Sequence, residues 1–258
     1  MQTIILCGGI GTRLKEETEF RPKPMVNIGP HPILWHIMKT YSFYGCNDFV
    51  LTLGYKGDMI KDYFLNYEYF NNDFTVKLGA DSRVQIHPKH QEDWKITLAD
   101  TGEKTLKGGR LKRVQKYITG EDFCVTYGDG VSDVNIPAVI DFHKRHGKMV
   151  TLTGVSIASR FGELKIEGDS VTRFAEKPLD APGFINGGFM VFNKRVFDCL
   201  TESEDCDLEY GVFEALAKKG EVMVYKHKGH WACMDTLRDV DYINGLWNTG
   251  KAFWKVWK

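Results

Sequence analysis

The chain has 258 residues, of which 43% are hydrophobic and 26% charged, an ordinary composition for a globular protein. Its 34 basic residues balance its 34 acidic ones, which excludes a strong global attraction to nucleic acid or anionic lipid, and its apolar runs are strand-sized. Any cationic site must therefore be local. Six cysteines without a C-x-x-C pair, and a first strand that begins almost at Met1, predict reduced thiols in a cytoplasmic protein.

Strand and helix signals alternate through residues 1–155. The predicted elements are strand Thr3–Cys7, helix Ile33–Tyr44, strand Asp48–Leu53, helix Gly57–Tyr63, strand Phe74–Leu78, helix Leu106–Val114, strand Phe123–Tyr127, helix Ile136–His146 and strand Val150–Val155. This alternation implies β–α–β crossovers and a mostly parallel sheet. In such sheets ligands bind beyond the carboxyl ends of the strands.

The pattern changes after residue 155. Shorter strands are predicted at Gly162–Ile166, Val171–Phe174 and Gly187–Phe192, as an antiparallel extension that carries substrate-binding loops. Helices Tyr210–Lys218 and Thr236–Trp247 flank a strand at Val222–Lys226. The aromatic run at 252–257 is expected to dock either on its own domain or on a neighbouring subunit.

A glycine-rich loop follows the first strand. Three glycines between positions 8 and 11 let backbone N–H groups approach phosphate oxygens, and Arg13 can grip phosphate with two hydrogen bonds. A helix after the loop would add its N-terminal dipole. Glycine turns of this kind also occur without a ligand. Of the known phosphate-binding loops, the P-loop is excluded because Thr12-Arg13 stands where it has Lys and Ser/Thr. The dinucleotide fingerprint is excluded by Leu14 in place of a third glycine or alanine.

Four further motifs each allow two interpretations. Asp129, between glycines at a strand end, is either a Mg²⁺ ligand or part of a tight turn, and Asp235-Thr236 is either a ligand or a helix N-cap. Lys177, before a proline, either faces a phosphomonoester or lies in a surface charge pair. The basic segment 105–113 opens with a glycine pair and is either a second anion site or a solvated helix face.

Together these motifs closely resemble the signature of the sugar-1-phosphate nucleotidyltransferases, which make nucleoside-diphosphate sugars. The resemblance is carried by Leu6–Leu14 with Thr18, Pro22–Met25, Gly128–Asp129, Glu176–Pro178, Asn186–Gly188 and Asp235–Thr236. A narrower similarity, to the members of the family that use CTP and glucose 1-phosphate, runs through segments 33–38, 54–57, 108–113, 125–130 and 234–239.

The resemblance implies a fold and a division of labour. The fold is Rossmann-like, with three α/β/α layers, a mostly parallel central sheet and a small antiparallel extension. One nucleotidyltransferase domain would contain a nucleotide-binding half, 1–155, and a half at 156–258 that binds the sugar phosphate and carries the C-terminal helices. The implied state is a homo-oligomer, with a hexamer as the expected form, and the expected partners include neither nucleic acid nor a membrane.

The resemblance also implies the reaction and its residues. A sugar 1-phosphate would attack the α-phosphorus of CTP and release pyrophosphate, with Mg²⁺ as cofactor. The implied catalytic residues are Arg13, Lys23 and Asp129. The implied nucleotide-binding residues are Leu6, Gly8, Gly9, Gly11, Thr12, Arg13, Lys23, Thr105, Arg110 and Gly128, with Gly8, Gly9 and Arg110 as candidates for reading cytosine. The implied sugar-phosphate residues are Gly162, Glu176, Lys177, Asn186 and Gly187, and the implied metal ligands are Asp129 and Asp235.

Rival interpretations stay open at this point. The same reaction could use another nucleotide, another sugar 1-phosphate or a non-sugar phosphate. A non-catalytic nucleotide-sugar sensor is disfavoured because it would not need the complete set of Arg13, Lys23, Asp129, Lys177 and Asp235. An NAD-dependent oxidoreductase is disfavoured by the missing third glycine.

Overall fold

The computed structural model describes residues 1–89, 91–156, 163–167, 170–175 and 183–257. Its strands are β1 Gln2–Leu6, β2 Asn27–Ile28, β3 His31–Pro32, β4 Asp48–Leu53, β5 Asp73–Lys77, β6 Arg83–His87, β7 Lys95–Asp100, β8 Asp122–Tyr127, β9 Gly130–Ser132, β10 Val150–Val155, β11 Glu163–Glu167, β12 Ser170–Ala175, β13 Ile185–Asn186, β14 Met190–Asn193, β15 Val222–His227 and β16 Trp231–Cys233. Its α-helices are α1 Lys15–Thr18, α2 Ile33–Phe43, α3 Gly57–Leu65, α4 Tyr67–Asn71, α5 Lys107–Arg113, α6 Ile136–His146, α7 Glu214–Lys218 and α8 Leu237–Asn248. The 3-10 helices are Thr12–Leu14, Lys23–Met25, Gln115–Tyr117 and Lys194–Cys199.

A mostly parallel sheet forms the centre of the molecule, as predicted. Its strand order is β13-β10-β14-β8-β1-β4-β7, and β15 pairs with β10. Strands β8, β1, β4 and β7 are mutually parallel, and β15 is parallel to β10, whereas β14 runs antiparallel to both β8 and β10. Because β1 and β8 are neighbours, the loops that follow them lie side by side at one edge of the sheet.

Both faces of the sheet are covered, which confirms the three layers. Successive strand residues point to opposite faces, and in β1 this separates Ile4 from Ile5. Ile5 belongs to a core that includes Ile37 of α2 and Ile243 of α8. Ile4 belongs to a second core on the other face, which includes Leu111 of α5.

The predicted place of strand Phe74–Leu78 in the alternating sheet is wrong. A strand is present there as β5, but it pairs with β6 in a separate antiparallel hairpin whose apolar residues Phe74 and Val76 are exposed. The strand that continues the central sheet is β7, Lys95–Asp100, which pairs in register with β4. Sequence analysis missed β7 because its polar ends and half-buried middle do not form a continuous apolar run.

The second half also differs in part from the prediction. Strand Gly187–Phe192 is observed as Met190–Asn193 and belongs to the central sheet, while β11 and β12 form an antiparallel hairpin. Of the predicted helix Tyr210–Lys218, Glu214–Lys218 is α-helical. The preceding turn is interrupted by non-helical backbone at Tyr210 and by Gly211, whose φ is 103°.

The aromatic C-terminus docks on its own domain, the first of the two alternatives. Trp254 is fully buried, and its Nε1 donates a hydrogen bond to Nδ1 of His36 on α2 at 3.4 Å. The other ring nitrogen of His36 donates to the carbonyl of Ile28 at 2.9 Å, so the imidazole is neutral. Burial lowers the pKa of His36 to about 4.

The cysteines agree with the prediction of reduced thiols. All six are free, and Cys7, Cys46 and Cys124 are buried. Among the described residues, no helix combines the length and apolar character that crossing a membrane requires.

Candidate active site

The glycine loop is shaped by a left-handed turn at Gly11. Its φ is 70°, and a Cβ there would approach Cγ2 of Thr18 to 2.7 Å. Thr18 supports the turn by donating its hydroxyl to the carbonyls of Gly11 and Leu14, at 3.1 and 2.9 Å. The loop continues into the 3-10 turn Thr12–Leu14 and then into α1, which has four residues. The helix expected after the loop is therefore present as a single turn, after the intervening 3-10 turn.

The loops after β1 and β8 are joined directly. The N–H of Gly128 donates to the carbonyl of Leu6 at 3.1 Å, which fixes the start of one loop against the end of the other strand. The N–H of Met234 donates to the carbonyl of Asp129 at 2.9 Å, and β9 pairs with β16 just beyond. These backbone contacts bring Asp235 beside Asp129 although the two residues are far apart in the sequence.

A cluster of two acids and two bases occupies this junction. The Nζ atom of Lys23 lies 2.7 Å from Oδ2 of Asp129 and 2.5 Å from Oδ1 of Asp235. Nη1 of Arg13 lies 2.8 Å from the second carboxylate oxygen, Oδ2, of Asp235. The Lys23 side chain is 11% exposed and that of Arg13 is 74% exposed, so the lysine forms the inner half of the cluster.

The cluster shifts the pKa of its members in opposite directions. Burial lowers the pKa of the Lys23 ammonium, but the carboxylates of Asp129 and Asp235 outweigh it and the net pKa is raised. Burial raises the pKa of Asp235, but hydrogen bonding to Lys23 and the charges of Lys23 and Arg13 outweigh it, and the net pKa is lowered. Lys23 and Asp235 are therefore both charged at neutral pH.

Thr236 is a helix N-cap, as one interpretation predicted, and Asp235 remains a candidate metal ligand. Thr236 is the N-cap of α8 and forms a capping box with Asp239, whose Oδ2 accepts the Thr236 N–H at 2.9 Å. The carboxylate of Asp235, one residue earlier, is left free to face Lys23. The cap thus positions the neighbouring acid.

Arg110 is tied to backbone carbonyls. Its side chain is buried, and Nη1 donates to the carbonyls of Leu53 and Gly102 and to the hydroxyl of Thr101, at 3.0, 2.6 and 2.8 Å. Nη2 donates to the carbonyls of Gly8 and Glu103, at 2.9 and 3.0 Å. A Cβ on Gly8 would overlap the guanidinium, so the glycine is needed for this close approach. Arg110 therefore holds the glycine loop, and its role in reading cytosine stays a prediction.

The glycine pair at the start of α5 serves packing. The N–H of Leu106 donates to the carbonyl of Glu204, and the N–H of Gly109 donates to the carbonyl of Cys206, at 2.8 and 3.0 Å. Gly108, Gly109 and Arg110 are buried. The interpretation of segment 105–113 as a solvated face is therefore wrong for these buried residues, whereas its interpretation as a second anion site stays a prediction.

A series of hydrogen-bonded polar side chains also lines the site. The Tyr127 hydroxyl donates to Oε1 of Glu209 at 2.7 Å and accepts from Nδ2 of Asn186 at 2.9 Å. Nζ of Lys107 lies 2.5 Å from the same Glu209 oxygen. Burial, followed by the Glu209 charge, raises the pKa of Tyr127, so its hydroxyl stays protonated and remains a donor. Asn186 is thereby held in one orientation.

These groups surround one cavity of about 610 Å³. Every predicted nucleotide-binding residue lines it, and so do Asp129, Asp235 and Asn186. Gly187 does not line it; its N–H donates to the carbonyl of Thr153 and its carbonyl accepts from Nε1 of Trp231, at 2.9 and 2.8 Å. Gly162, Glu176 and Lys177 lie outside the described residues.

Sequence analysis missed several residues that line the cavity, namely Cys7, Pro24, Leu106, Lys107, Tyr127, Glu209, Trp231 and Cys233. Tyr127 could have been found, because it ends a buried strand directly before Gly128-Asp129. Glu209 carries no motif and reaches the site through the turn before α7.

The donor set at the cluster fits Mg²⁺ bound together with phosphates. In the described part of the chain, no group of three or more His, Cys, Asp and Glu side chains could hold a metal ion by itself. Asp129 and Asp235 offer two carboxylates that already converge on one cationic atom. Mg²⁺ is commonly held by one or two carboxylates, with water and substrate phosphates completing its shell. The same donor set would suit a metal–triphosphate complex.

Comparison with known proteins agrees with this chemistry. The nucleotidyl transferase family model matches residues 2–251. The chain is 50% identical, over the full length of both proteins, to glucose-1-phosphate cytidylyltransferase of Salmonella typhi, and 44% identical to a Bacillus subtilis protein named as a probable glucose-1-phosphate cytidylyltransferase, again over both full lengths. The crystal structure of HddC from Yersinia pseudotuberculosis is similar in fold, with a TM-score of 0.68 and 24% identity over 95% of this chain and 99% of that one. The chain therefore belongs to the nucleotidyl transferase family.

Proposed function

We propose that the protein is a glucose-1-phosphate cytidylyltransferase, which converts CTP and α-D-glucose 1-phosphate to CDP-glucose and pyrophosphate. The observation that carries nucleotidyl transfer is the position of Lys23 between Asp129 and Asp235, in the cavity formed by the glycine loop. The choice of CTP and glucose 1-phosphate is supported by the full-length relatives that bear this name.

The reaction needs no protein nucleophile. A phosphate oxygen of the sugar 1-phosphate, ionised at neutral pH, forms a bond to the α-phosphorus of CTP, and the bond to the bridging oxygen breaks to release pyrophosphate. Catalysis then depends on positioning and on neutralising charge. Lys23 would contact the α-phosphate and the attacking phosphate, while Thr12 and Arg13 would hold the triphosphate.

Mg²⁺ on Asp129 and Asp235 would neutralise charge on the reacting phosphates. Lys177 would bind the sugar phosphate, and Glu176 and Asn186 would bind sugar hydroxyls, as the family resemblance implies. Gly8 and Gly9 would approach the base through their backbone groups. Arg110 contributes by fixing the Gly8 carbonyl, which supports a base site of defined shape.

We also propose that the protein is a homo-oligomer. The exposed apolar residues Phe74, Val76, Leu78 and Val84 of the β5–β6 hairpin segment support association with a second copy. Light scattering coupled to size exclusion should report a mass above the 29.5 kDa of one chain, and a monomer at assay concentrations would contradict this.

The test of function is a matrix of four nucleoside triphosphates against several sugar 1-phosphates, scored by pyrophosphate release. We expect CTP with glucose 1-phosphate to give the highest kcat/KM. Asp129→Asn should lower turnover by at least ~100-fold, since it removes one of the two carboxylates that bind the metal. Asp122→Asn, at the start of the strand that precedes the Asp129 loop and outside the cavity, is the control. Near-normal Mg²⁺-dependent pyrophosphate release by Asp129→Asn would refute the assignment.

A further inference from the structure

The Nζ atom of Lys23 lies between the two carboxylates that are proposed to bind the metal ion. This single atom contacts one oxygen of each candidate metal ligand, at 2.7 Å for Asp129 and 2.5 Å for Asp235. Mg²⁺ binds carboxylate oxygens at about 2.0–2.1 Å. An ammonium and a divalent cation cannot occupy the space between the same two oxygens, because of their size and their like charge. The two cations therefore exclude each other.

The formal charges of the cluster also balance without a metal ion. Two carboxylates, Asp129 and Asp235, face two cations, Lys23 and Arg13. A bare divalent cation that entered would leave both basic side chains without their anionic partners. A divalent cation that enters with a triphosphate provides new phosphate partners for both bases. The charge balance thus favours joint entry over entry of the metal alone.

The side chains involved are able to move. Lysine carries its charge on a flexible stem with three rotatable donors, and Arg13 is largely exposed. The backbone at Lys23 is held in a 3-10 turn that follows Pro22 and contains Pro24, so the stem would swing from a fixed base. The movement required is a change of side-chain rotamer.

We propose that Lys23, assisted by Arg13, occupies the metal position in the substrate-free protein and leaves it only when a metal–nucleotide complex arrives. Metal binding and delivery of Lys23 to the phosphates are then one exchange. In the absence of nucleotide, Lys23 prevents Asp129 and Asp235 from repelling each other and from capturing a metal ion. This inference rests on the proposed function for the identity of the metal ligands.

The test is Mn²⁺ binding to the nucleotide-free protein, measured by electron paramagnetic resonance of free Mn²⁺ and by calorimetry. We expect weak binding by the wild type and at least ten-fold tighter binding by Lys23→Met, because that variant leaves two carboxylates without their shared cation. Arg13→Met, an exposed and therefore structurally safe change, should tighten binding by a smaller factor. A CTP analogue with a methylene bridge between the α and β phosphorus atoms should tighten Mn²⁺ binding to the wild type.

Lys39→Met is the matched control. Lys39 forms an ion pair with Glu92 at 2.6 Å and is partly buried. Among the described residues Glu92 is the single carboxylate paired with it, and neither residue lines the cavity. Mn²⁺ affinity should not change in this variant. In the double variant Lys23→Met/Asp129→Asn, the gain should disappear, which locates the ion between the two acids.

The proposal would be overturned if the wild type and Lys23→Met bound Mn²⁺ with equal affinity while circular dichroism showed both proteins to be folded. A gain that survives Asp129→Asn would also overturn it, because the metal would then bind elsewhere. The pyrophosphate assay separates this result from the fate of the proposed function. If Lys23→Met gains Mn²⁺ but the wild type releases no pyrophosphate from any substrate pair, the exchange stands and the assigned reaction fails.

Discussion

Arg110→Lys distinguishes a side chain that reads the base from one that holds the loop. The arginine makes five hydrogen bonds within the protein, four of them to carbonyls. A lysine has three donors and a different shape, so at least two of these bonds are lost while the charge is kept. At about 1.5 kcal/mol for each hydrogen bond to a charged group, the free energy of unfolding should fall by about 3 kcal/mol.

The loss should be visible as a decrease of about 6–12 °C in Tm, given about 2–4 °C per kcal/mol for a chain of this size. Because the Gly8 carbonyl is released, KM should rise for every nucleoside triphosphate by a similar factor. Lys112→Arg on the same helix is the control. The reasoning would be refuted if Arg110→Lys kept its Tm and lost discrimination between CTP and UTP, since that result is expected of a residue that contacts cytosine.

Three other perturbations test separate parts of the site and fold. Lys23→Ala should still bind nucleotide in equilibrium dialysis but fail in single-turnover chemistry, and an unchanged single-turnover rate would contradict its role at the phosphates. Glu209→Gln should raise KM for the sugar phosphate several-fold more than KM for CTP, because Glu209 fixes the Tyr127 hydroxyl that orients Asn186; equal changes in both would point to a general structural effect. The lowered pKa of His36 predicts a loss of stability on acidification. At His36 the unfolded state binds a proton below about pH 6.5, whereas the folded state does so only near pH 4. The free energy of unfolding should therefore decrease by about 3 kcal/mol as the pH falls across that interval. Urea titrations of His36→Phe should lack this pH-dependent component.

The meeting of the glycine loop with the Asp129 loop was predictable from the sequence because few contacts determine it. Parallel strands β1 and β8 are neighbours, so the residues after Leu6 and after Tyr127 must meet at one edge of the sheet. Asp235 could be placed with Asp129 as a metal ligand only through the family resemblance. Its approach to Asp129 depends on the pairing of β9 with β16, and strands of three residues are too short to be predicted from a sequence pattern.

The contacts of Arg110 with backbone carbonyls were not predictable for a different reason. A basic residue after a glycine pair has the same appearance whether it binds a ligand or a carbonyl. The difference lies in the acceptors, which come from segments around Gly8, Leu53 and Gly102 and converge only in the folded chain. The burial of Arg110 could not be predicted either, because the helix that carries it also has charged residues on its other side.

The choice of lysine at position 23 follows from the two positions that its charge has to occupy. In the substrate-free protein the charge lies between two carboxylates, and one small ammonium can contact both at once. In the proposed reaction the same charge moves to phosphate oxygens, which a flexible stem allows better than a planar fork. Arginine at position 23 would bind one carboxylate with two hydrogen bonds and leave it less readily. We therefore expect Lys23→Arg to keep the charge balance of the substrate-free site but to lose most of the turnover. A Lys23→Arg variant with normal kcat would show that the charge alone suffices, and that its movement between the two positions is not required.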